Sequence, residues 1–237
     1  MPSASTTVRA RTLLAWSSGK DSAWSLHLLR QRSDLEVVGL LTTFNQSADR
    51  VAMHAVRRQL VKSQARSAGL PLIPVWLPWP CSNAIYEAAI RRALKRASEE
   101  LDATHIAFGD LFLEDVRAYR EKQLAQTGFT PIFPIWGLPT DRLAREMVDN
   151  GLKAHLTCVD PRQLSRKFAG RRFDHELLRA LPETVDPCGE RGEFHTFVFE
   201  GPMFSAPIPV ATGAIVERDG FVFMDVLPKV QEAVPEP

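Results

Sequence analysis

The sequence predicts an α/β protein in which an open parallel sheet is followed by a smaller α+β domain. Three observations lead to this fold class. Short apolar runs alternate with amphipathic helical runs through the first half of the chain, a polar turn joins the first apolar run to the first helix, and short strands punctuated by glycine and proline take over from Arg171 onward. We therefore expect two domains, residues 8–135 and 136–230.

Composition narrows the class of protein further. The chain has 237 residues, of which 45% are hydrophobic and 24% charged, as in ordinary globular proteins with a substantial core. Lysine plus arginine (29) nearly balances aspartate plus glutamate (28), so the net charge of +1 provides no general field for nucleic-acid binding. The three cysteines lie far apart without metal-ligand spacing, which argues against a disulfide framework or a zinc site and predicts a reducing, cytoplasmic compartment. No apolar stretch reaches the roughly twenty residues of a membrane span.

Periodicity predicts the elements in order. Apolar runs bounded by turn residues predict strands, and apolar positions three and four residues apart predict helices. In the first domain, strands are expected at 12–16, 35–44, 71–77 and 104–108 with a fifth near Ile132, and helices at 23–32, 51–68, 83–101 and 116–127. In the second, a helix is expected at 140–150 and strands at 154–159, 194–199, 208–216 and 221–226. Because ligands bind beyond the carboxyl ends of parallel strands, residues 17–22, 44–45 and 109–110 are expected on one rim.

Residues 17–22, Ser-Ser-Gly-Lys-Asp-Ser, join the first predicted strand to the first predicted helix. Backbone N–H groups at a helix N-terminus bind anions, Gly19 allows close approach, Lys20 adds a positive charge, and Asp21 supplies the hard oxygens that magnesium prefers. A Walker A loop is excluded, because Leu14 and Asp21 stand where it needs its first glycine and its Ser or Thr. A dinucleotide-binding G-x-G-x-x-G is excluded, because Gly19 is the only glycine between residues 1 and 32. The loop therefore predicts a site for a nucleotide polyphosphate.

A second informative segment, residues 109–121, places acidic residues just past a strand end and basic residues on the helix that follows. Such residues can supply metal ligands and clamps for phosphate or carboxylate groups. A solvated, charged loop is the alternative, and the position of the 17–22 loop on the same rim favours a site. The residues concerned are Asp110, Glu114, Asp115, Arg117 and Arg120.

A third informative segment, residues 186–196, leads into a predicted strand. Glu190, Glu193 and His195 surround two glycines there, which is typical of a loop that holds a small polar group. A solvated hairpin loop is the alternative interpretation. We expect His195 to change protonation near neutral pH, where an unperturbed imidazole titrates.

The 17–22 loop resembles the PP-loop, S-G-G-x-D-S, of the ATP pyrophosphatases, which split ATP into AMP and pyrophosphate while adenylating an acceptor. It departs from that pattern at Ser18, where the family has glycine, so we expect the Ser18 backbone to avoid positive φ. With the run Gly-Glu-x-Gly-Glu-Phe-His-Thr at 189–196, the chain resembles the diphthine–ammonia ligase family from Leu13 to Phe204. The other segments that carry this resemblance are 109–121, 151–154 and 201–204.

The resemblance implies a HUP-type (adenine nucleotide alpha hydrolase-like) domain for residues 8–135 and a family-specific, acceptor-binding domain for residues 136–230. It implies a ligase that uses ATP and Mg²⁺ to adenylate the carboxylate of diphthine, a modified histidine of elongation factor 2, or of a related acceptor. Ammonia then displaces AMP. Pro2 follows the first methionine, so the N-terminal cysteine of a glutaminase is not expected, which agrees with free ammonia as the donor.

The resemblance also implies roles for individual residues. We expect residues 190–195 to serve the acceptor and to reach the ATP rim only from across a cleft. Magnesium is expected at Asp21 and Asp110. Nucleotide binding is expected of Ser17, Ser18, Gly19, Lys20, Asp21, Ser22, Gly109 and Arg117, with adenine against the backbone near Thr43 and Phe44. The catalytic set is expected to be Lys20, Asp21, Asp110, Glu190, Glu193 and His195.

Two alternatives stay open from the sequence. A tRNA base-modifying PP-loop enzyme would need a well-placed cysteine and a basic face, and both are weak here. A non-catalytic adenine-nucleotide-binding protein of the universal-stress type would keep ATP binding without needing the acidic, histidine-bearing 186–196 segment. Release of AMP and pyrophosphate separates an enzyme from such a sensor.

Overall fold

The structure is a computed structural model that describes residues 9–51 and 55–229. Pro2 and the expected domain limits at 8 and 230 lie outside the described residues. The first sheet contains β1 (Ala10–Ala15), β2 (Leu35–Asn45), β3 (Arg50–Val51), β4 (Leu72–Leu77), β5 (His105–Ala107) and β6 (Thr130–Ile132). Its helices are α1 (Lys20–Arg30), α2 (Arg58–Ala68), α3 (Asn83–Leu101) and α4 (Glu114–Leu124). The rest of the chain forms α5 (Thr140–Asp149), β7 (Lys153–Val159), a 3₁₀ turn (Arg166–Phe168), α6 (His175–Ala180), β8 (Phe194–Glu200), β9 (Val210–Arg218) and β10 (Phe221–Pro228).

The first sheet is open and mostly parallel, as predicted. Its parallel strands lie in the order β4-β2-β1-β5-β6, and the short β3 pairs antiparallel with the end of β2. The chain progresses outward from β1 in one direction through β2 and β4, and in the other through β5 and β6. The strand order therefore reverses at β1, and a crevice opens beyond the carboxyl ends of β1 and β5, where open α/β sheets bind ligands.

The second sheet is antiparallel, with strand order β8-β7-β10-β9. Asp219 and Gly220 connect β9 to β10, and their φ angles of 53° and 79° are those that a two-residue hairpin turn requires. This sheet confirms the predicted smaller α+β part, and the two sheets together confirm the HUP-type fold class.

The helices agree with the predicted pattern except at some ends. Helix α3 has the predicted bounds, and the Ser82 Oγ accepts a hydrogen bond from the Ile85 N–H at 3.4 Å, as an N-cap does. The sequence predicts that helix α2 starts at Val51, but it starts at Arg58. Val51 instead lies in β3, where it pairs with Phe44 of β2. Residues 52–54 of that expected helix lie outside the described residues.

The core joins the two sheets. One buried cluster packs Leu14 and Phe44 of the first sheet with Phe197 and Met224 of the second, while a separate cluster fills the space between the first sheet and α3. An ion pair at 2.6 Å between Arg57 and Asp225 adds a polar link. Within the described ranges, no helix has the length and apolar character needed to cross a membrane.

Candidate active site

The 17–22 loop connects β1 to α1 at the crevice. Helix α1 begins at Lys20. Its N-cap residue is Gly19, and no side chain of the described residues makes a capping hydrogen bond there. The Ser22 Oγ donates to the Gly19 carbonyl at 3.0 Å and lies 3.1 Å from the Ser17 Oγ. The hydroxyls of Ser17 and Ser22 therefore hold the loop where it enters the helix, and the loop presents the start of a helix dipole to the crevice.

Ser18 has a φ of 72°, so the prediction that it avoids positive φ is wrong. The reason lies in tertiary contacts, which the local sequence does not reveal. Its carbonyl accepts hydrogen bonds from the Val198 N–H of β8 and from the Gln64 Nε2 of α2, both at 3.0 Å, and these two donors fix the orientation of the peptide. Ser18 is fully buried, and its Oγ has no hydrogen-bond partner among the described residues.

We expect the substitution Ser18→Gly to raise the free energy of unfolding by about 1 kcal/mol. Glycine avoids the cost of about 1–2 kcal/mol that a Cβ imposes at this φ and removes the unpartnered hydroxyl, while its freedom in the unfolded chain offsets about 0.5–1 kcal/mol. Urea denaturation measures the change. Ser25→Gly is the matched control: Ser25 Oγ is also buried without a partner, but it lies within helix α1, so glycine there should destabilise. A loss of stability in Ser18→Gly would contradict the strain argument.

Lys20 occupies the centre of the site, with 2% of its surface exposed. Its Nζ donates to the Asp21 carboxylate at 2.8 Å and to the Cys188 carbonyl, and it lies 5.4 Å from the centre of the Phe194 ring. Burial is the largest influence on the pKa of Lys20 and acts to lower it, but the attractions of Asp21, Cys188 and Glu190 together outweigh burial, so the pKa is raised. Burial raises the pKa of Asp21, and Lys20 opposes that shift. The ammonium is therefore held charged at the N-terminus of α1.

The 186–196 segment packs directly on the 17–22 loop, so the prediction that a cleft separates them is wrong. The Thr196 Oγ1 accepts from the Lys20 backbone N–H at 3.0 Å. Within the segment, the Glu193 Oε1 accepts from the Asp186 N–H at 2.9 Å. Gly189 has a φ of 69°, which glycine adopts without strain. The segment is thus a fixed loop, and it forms one wall of the site.

Residues 109–121, the second informative segment, contact both the 17–22 loop and the 186–196 segment. A Cβ on Gly109 would lie 2.9 Å from the Asp21 carbonyl carbon, so only glycine allows the end of β5 to pack against the first turn of α1. Two residues on, the Leu111 N–H donates to the Glu190 Oε1 at 2.7 Å. The three informative segments, 17–22, 109–121 and 186–196, therefore meet at one place.

A cavity of about 840 Å³ lies at this meeting point, which is within the range for sites that hold small molecules and cofactors. Thr43, at the end of β2, lines it, while the Phe44 side chain is fully buried against Trp76 and does not. Glu193 is buried behind the wall, with 1% of its surface exposed. The predicted site residues that line the cavity are Ser17, Lys20, Asp21, Ser22, Thr43, Gly109, Asp110, Glu190 and His195, and those that do not are Ser18, Gly19, Phe44, Arg117 and Glu193.

Arg120, rather than Arg117, lines the cavity. The Arg117 guanidinium stacks on Phe133 and pairs with Glu121 at 2.8 Å. Arg120 lies 3.5 Å from the Asp110 carboxylate. Helical spacing groups position 120 with positions 116 and 123, which also line the cavity, but it does not by itself exclude position 117, which lies three residues before 120.

Two titrating groups of the wall have displaced pKa values. Burial raises the pKa of Glu190 to about 7, the hydrogen bond from Leu111 opposes this shift, and the Asp21 charge adds to it. Burial lowers the pKa of His195 to about 4, and the nearby Lys20 charge lowers it further. His195 is therefore neutral at pH 7, and the prediction that it titrates there is wrong. Glu190 is the group that changes protonation near neutrality.

The residues present fit magnesium brought with a nucleotide. Among the described residues, no group of three or more His, Cys, Asp or Glu side chains could hold a metal ion. Asp21 and Asp110 both line the cavity, and the buried Asp110 Oδ2, which is ion-paired with the Arg120 Nε at 3.5 Å, accepts no hydrogen bond from the described chain. Magnesium is commonly bound by one or two carboxylates together with substrate phosphates, so two carboxylates at this place suffice.

The fold and site define a HUP-type α/β protein whose 17–22 loop, which resembles a PP-loop in sequence, lies at the switch point of the sheet. Residues 10–131 match the diphthamide synthase N-terminal domain and residues 139–226 match the diphthamide synthase C-terminal domain, so the chain belongs to the diphthamide synthase family.

The chain is also similar to individual curated proteins, at 24–28% identity. Diphthine–ammonia ligase of Danio rerio is 28% identical over 134 residues, which covers 53% of this chain and 52% of the relative. The protein of that name from Schizosaccharomyces pombe is 28% identical over 132 residues, covering 54% of this chain and 22% of the relative. The human protein is 24% identical over 138 residues, covering 56% and 52%. The matched region thus spans about half the length of the vertebrate relatives and about a fifth of the yeast one.

Proposed function

We propose that the chain is an ATP-dependent ligase that adenylates a carboxylate, releases AMP and pyrophosphate, and forms an amide with ammonia. The observation that carries this proposal is the convergence on Lys20. The 17–22 loop and the 186–196 segment, which lie far apart in sequence, meet at this buried ammonium beside a cavity large enough for a nucleotide. In this proposal residues 8–135 bind the nucleotide and residues 136–230 shape the acceptor side.

The chemistry asks for positioning and charge stabilisation more than for covalent participation by the protein. Lys20, Ser22 and the N-terminus of α1 hold the pyrophosphate that leaves as the acceptor carboxylate attacks the α-phosphate. Asp21 and Asp110 would hold magnesium, which when bound neutralises charge on the phosphates. The neighbouring Arg120 keeps Asp110 in place through their ion pair at 3.5 Å.

The 186–196 segment serves the second half of the reaction. With a pKa near 7, Glu190 is substantially ionised at neutral pH and can take a proton from ammonium. The ammonia so formed attacks the acyl carbon, the bond to the AMP oxygen breaks, AMP leaves, and the proton that the new amide nitrogen loses passes to solvent. His195 is neutral and lines the cavity, so it can orient a polar group of the acceptor without adding charge. The buried Glu193 does not line the cavity. It accepts a hydrogen bond from the Asp186 N–H and so holds the 186–196 segment in place.

The acceptor we propose is the carboxylate of diphthine or of a related group. This proposal is supported by the names of the relatives, which are diphthine–ammonia ligases, and by the family that the chain belongs to. A protein-borne acceptor, elongation factor 2 carrying diphthine, is the first substrate to test.

The test is product analysis with ATP, Mg²⁺, ammonium and that acceptor, whose carboxylate is labelled with ¹⁸O. We expect AMP and pyrophosphate in equal amounts, with one ¹⁸O in the AMP, because the acyl oxygen stays on phosphorus when ammonia displaces it. Omitting the acceptor should suppress AMP formation. ADP and orthophosphate as main products would refute the ligase, and tight ATP binding without any turnover on a range of carboxylates would favour the sensor alternative.

A further inference from the structure

One face of helix α4 runs along the cavity. The residues that line it from this helix are Asp115, Val116, Tyr119, Arg120, Gln123 and Leu124. These positions recur at helical spacing, and at 1.5 Å per residue the distance along the axis from position 115 to position 123 is about 12 Å. The cavity therefore extends from the rim, where α4 begins, inward along two turns of the helix.

The far part of the cavity is a mostly apolar space between the sheet and two helices, which we call the inner slot. Ala15 and Leu41 are register partners on β1 and β2, and Ile106 extends the same surface from β5. Ile90 of α3 and Leu124 of α4 line the cavity as well. An apolar space bounded by a sheet and helices suits the hydrophobic ring system of a ligand better than its phosphates.

Gln123 introduces a polar group among these apolar residues. It lines the cavity, and its Nε2 is buried without a hydrogen-bond partner in the part of the chain that the structure describes. Buried polar atoms in native proteins are almost always paired, so such an exception calls for an explanation. A ligand that occupies the inner slot and offers an acceptor to the amide provides one.

We propose that the inner slot holds the purine base and that the Gln123 amide selects adenine over guanine. A glutamine amide has a donor and an acceptor side by side, which matches the exocyclic N–H and adjacent ring nitrogen of adenine. On the edge that carries N7, guanine has a carbonyl where adenine has the amino group, so guanine offers two acceptors there and no orientation of the amide satisfies both. The proposal rests on the proposed function in taking ATP as the nucleotide. It extends the expected adenine position near Thr43, which lines the same cavity, to a side chain on α4.

Equilibrium binding of α,β-methylene-ATP and its guanine counterpart tests this without turnover. We expect the wild type to prefer the adenine analogue by at least about tenfold, and Gln123→Leu to bind it about tenfold more weakly and to lose most of the preference. Gln126→Leu is the matched control, since Gln126 is exposed just beyond the end of α4 and should leave both affinities unchanged. Thermal melting of each variant confirms that it is folded.

A second measurement isolates the hydrogen bond. The 7-deaza form of ATP lacks the ring acceptor on this edge, and we expect it to bind the wild type about tenfold more weakly than ATP does but to bind Gln123→Leu with the same affinity as ATP. The 1-deaza form keeps N7 and is the control. Unchanged affinity and base preference in a folded Gln123→Leu would overturn the proposal. The outcome is separate from the proposed function: a preference that depends on Gln123 would stand even if no AMP were formed, and AMP formation with no such dependence would refute the base slot alone.

Discussion

Lys20→Ala is expected to lower kcat/KM for ATP-dependent AMP formation by a factor on the order of 10²–10³. The ammonium is buried at the N-terminus of α1 and is surrounded by low-dielectric protein, where one preorganised charge contributes about 2–4 kcal/mol to a transition state that develops negative charge. Alanine leaves the helix start intact but removes the only cation that the 17–22 loop contributes. Steady-state measurement of pyrophosphate release checks the loss, and it depends on the proposed function.

Two controls separate chemistry from folding. Lys62→Ala removes an exposed lysine of α2 and should leave turnover unchanged. Because Lys20 also pairs with Asp21 and with the Cys188 carbonyl, its removal leaves the partly buried Asp21 carboxylate unpaired, and the melting temperature of the variant must be measured beside its activity. Near-normal AMP formation by a folded Lys20→Ala protein would sink the assignment of the 17–22 loop as the phosphate site.

Gly189→Ala is expected to reduce the free energy of unfolding by about 2–4 kcal/mol, and to lower the melting temperature by roughly 5–12 °C for a protein of this size. Two causes act together. The φ of 69° is strained for alanine, and its Cβ would lie 2.8 Å from the Phe194 carbonyl oxygen and 3.0 Å from the Phe194 ring. Both neighbours belong to the start of β8 and cannot move without disturbing the second sheet.

Gly192→Ala supplies the comparison. Gly192 has a φ of 84°, but a Cβ there would meet nothing within 4 Å, so only the backbone strain of about 1 kcal/mol remains. The difference between the two variants in urea denaturation therefore measures the steric contact at Phe194. Equal losses would mean that the 186–196 segment relaxes freely and is not the rigid wall described above.

Much of the fold could be predicted because it is encoded locally. The bounds of α3 follow from its apolar stripe and the Ser82 cap, and the parallel sheet follows from alternating runs. The start of α2 could not be predicted in this way. Val51 has a helical spacing to later apolar residues, but its backbone is paired with Phe44, and that pairing is invisible to periodicity.

The candidate site, too, could be predicted where it depends on local sequence and not where it depends on tertiary contacts. The 17–22 loop was found from residue types at a strand-to-helix turn, whereas the φ of Ser18 depends on donors 46 and 180 residues away in sequence, at Gln64 and Val198. The pKa of His195 depends on burial and on Lys20, which the sequence does not place beside it. The Thr196 Oγ1 and the Cys188 carbonyl could not be predicted as partners of Lys20, because they lie 176 and 168 residues away in sequence and only the tertiary fold brings them to the loop.

The carbonyl of Ser18 ties three distant parts of the chain into one hydrogen-bonded junction. Gln64 donates to it from α2 and also accepts from the Trp16 indole at 2.9 Å, while β8 donates to it through the Val198 N–H. A fragment ending at residue 135 would lack β8 and leave this carbonyl without one of its two donors. The first half of the chain therefore depends on the second half for a hydrogen bond at its 17–22 loop. Any graft that exchanged the second half would need a strand edge at the same place, and an insertion in β8 would displace a hydrogen-bond donor of the 17–22 loop.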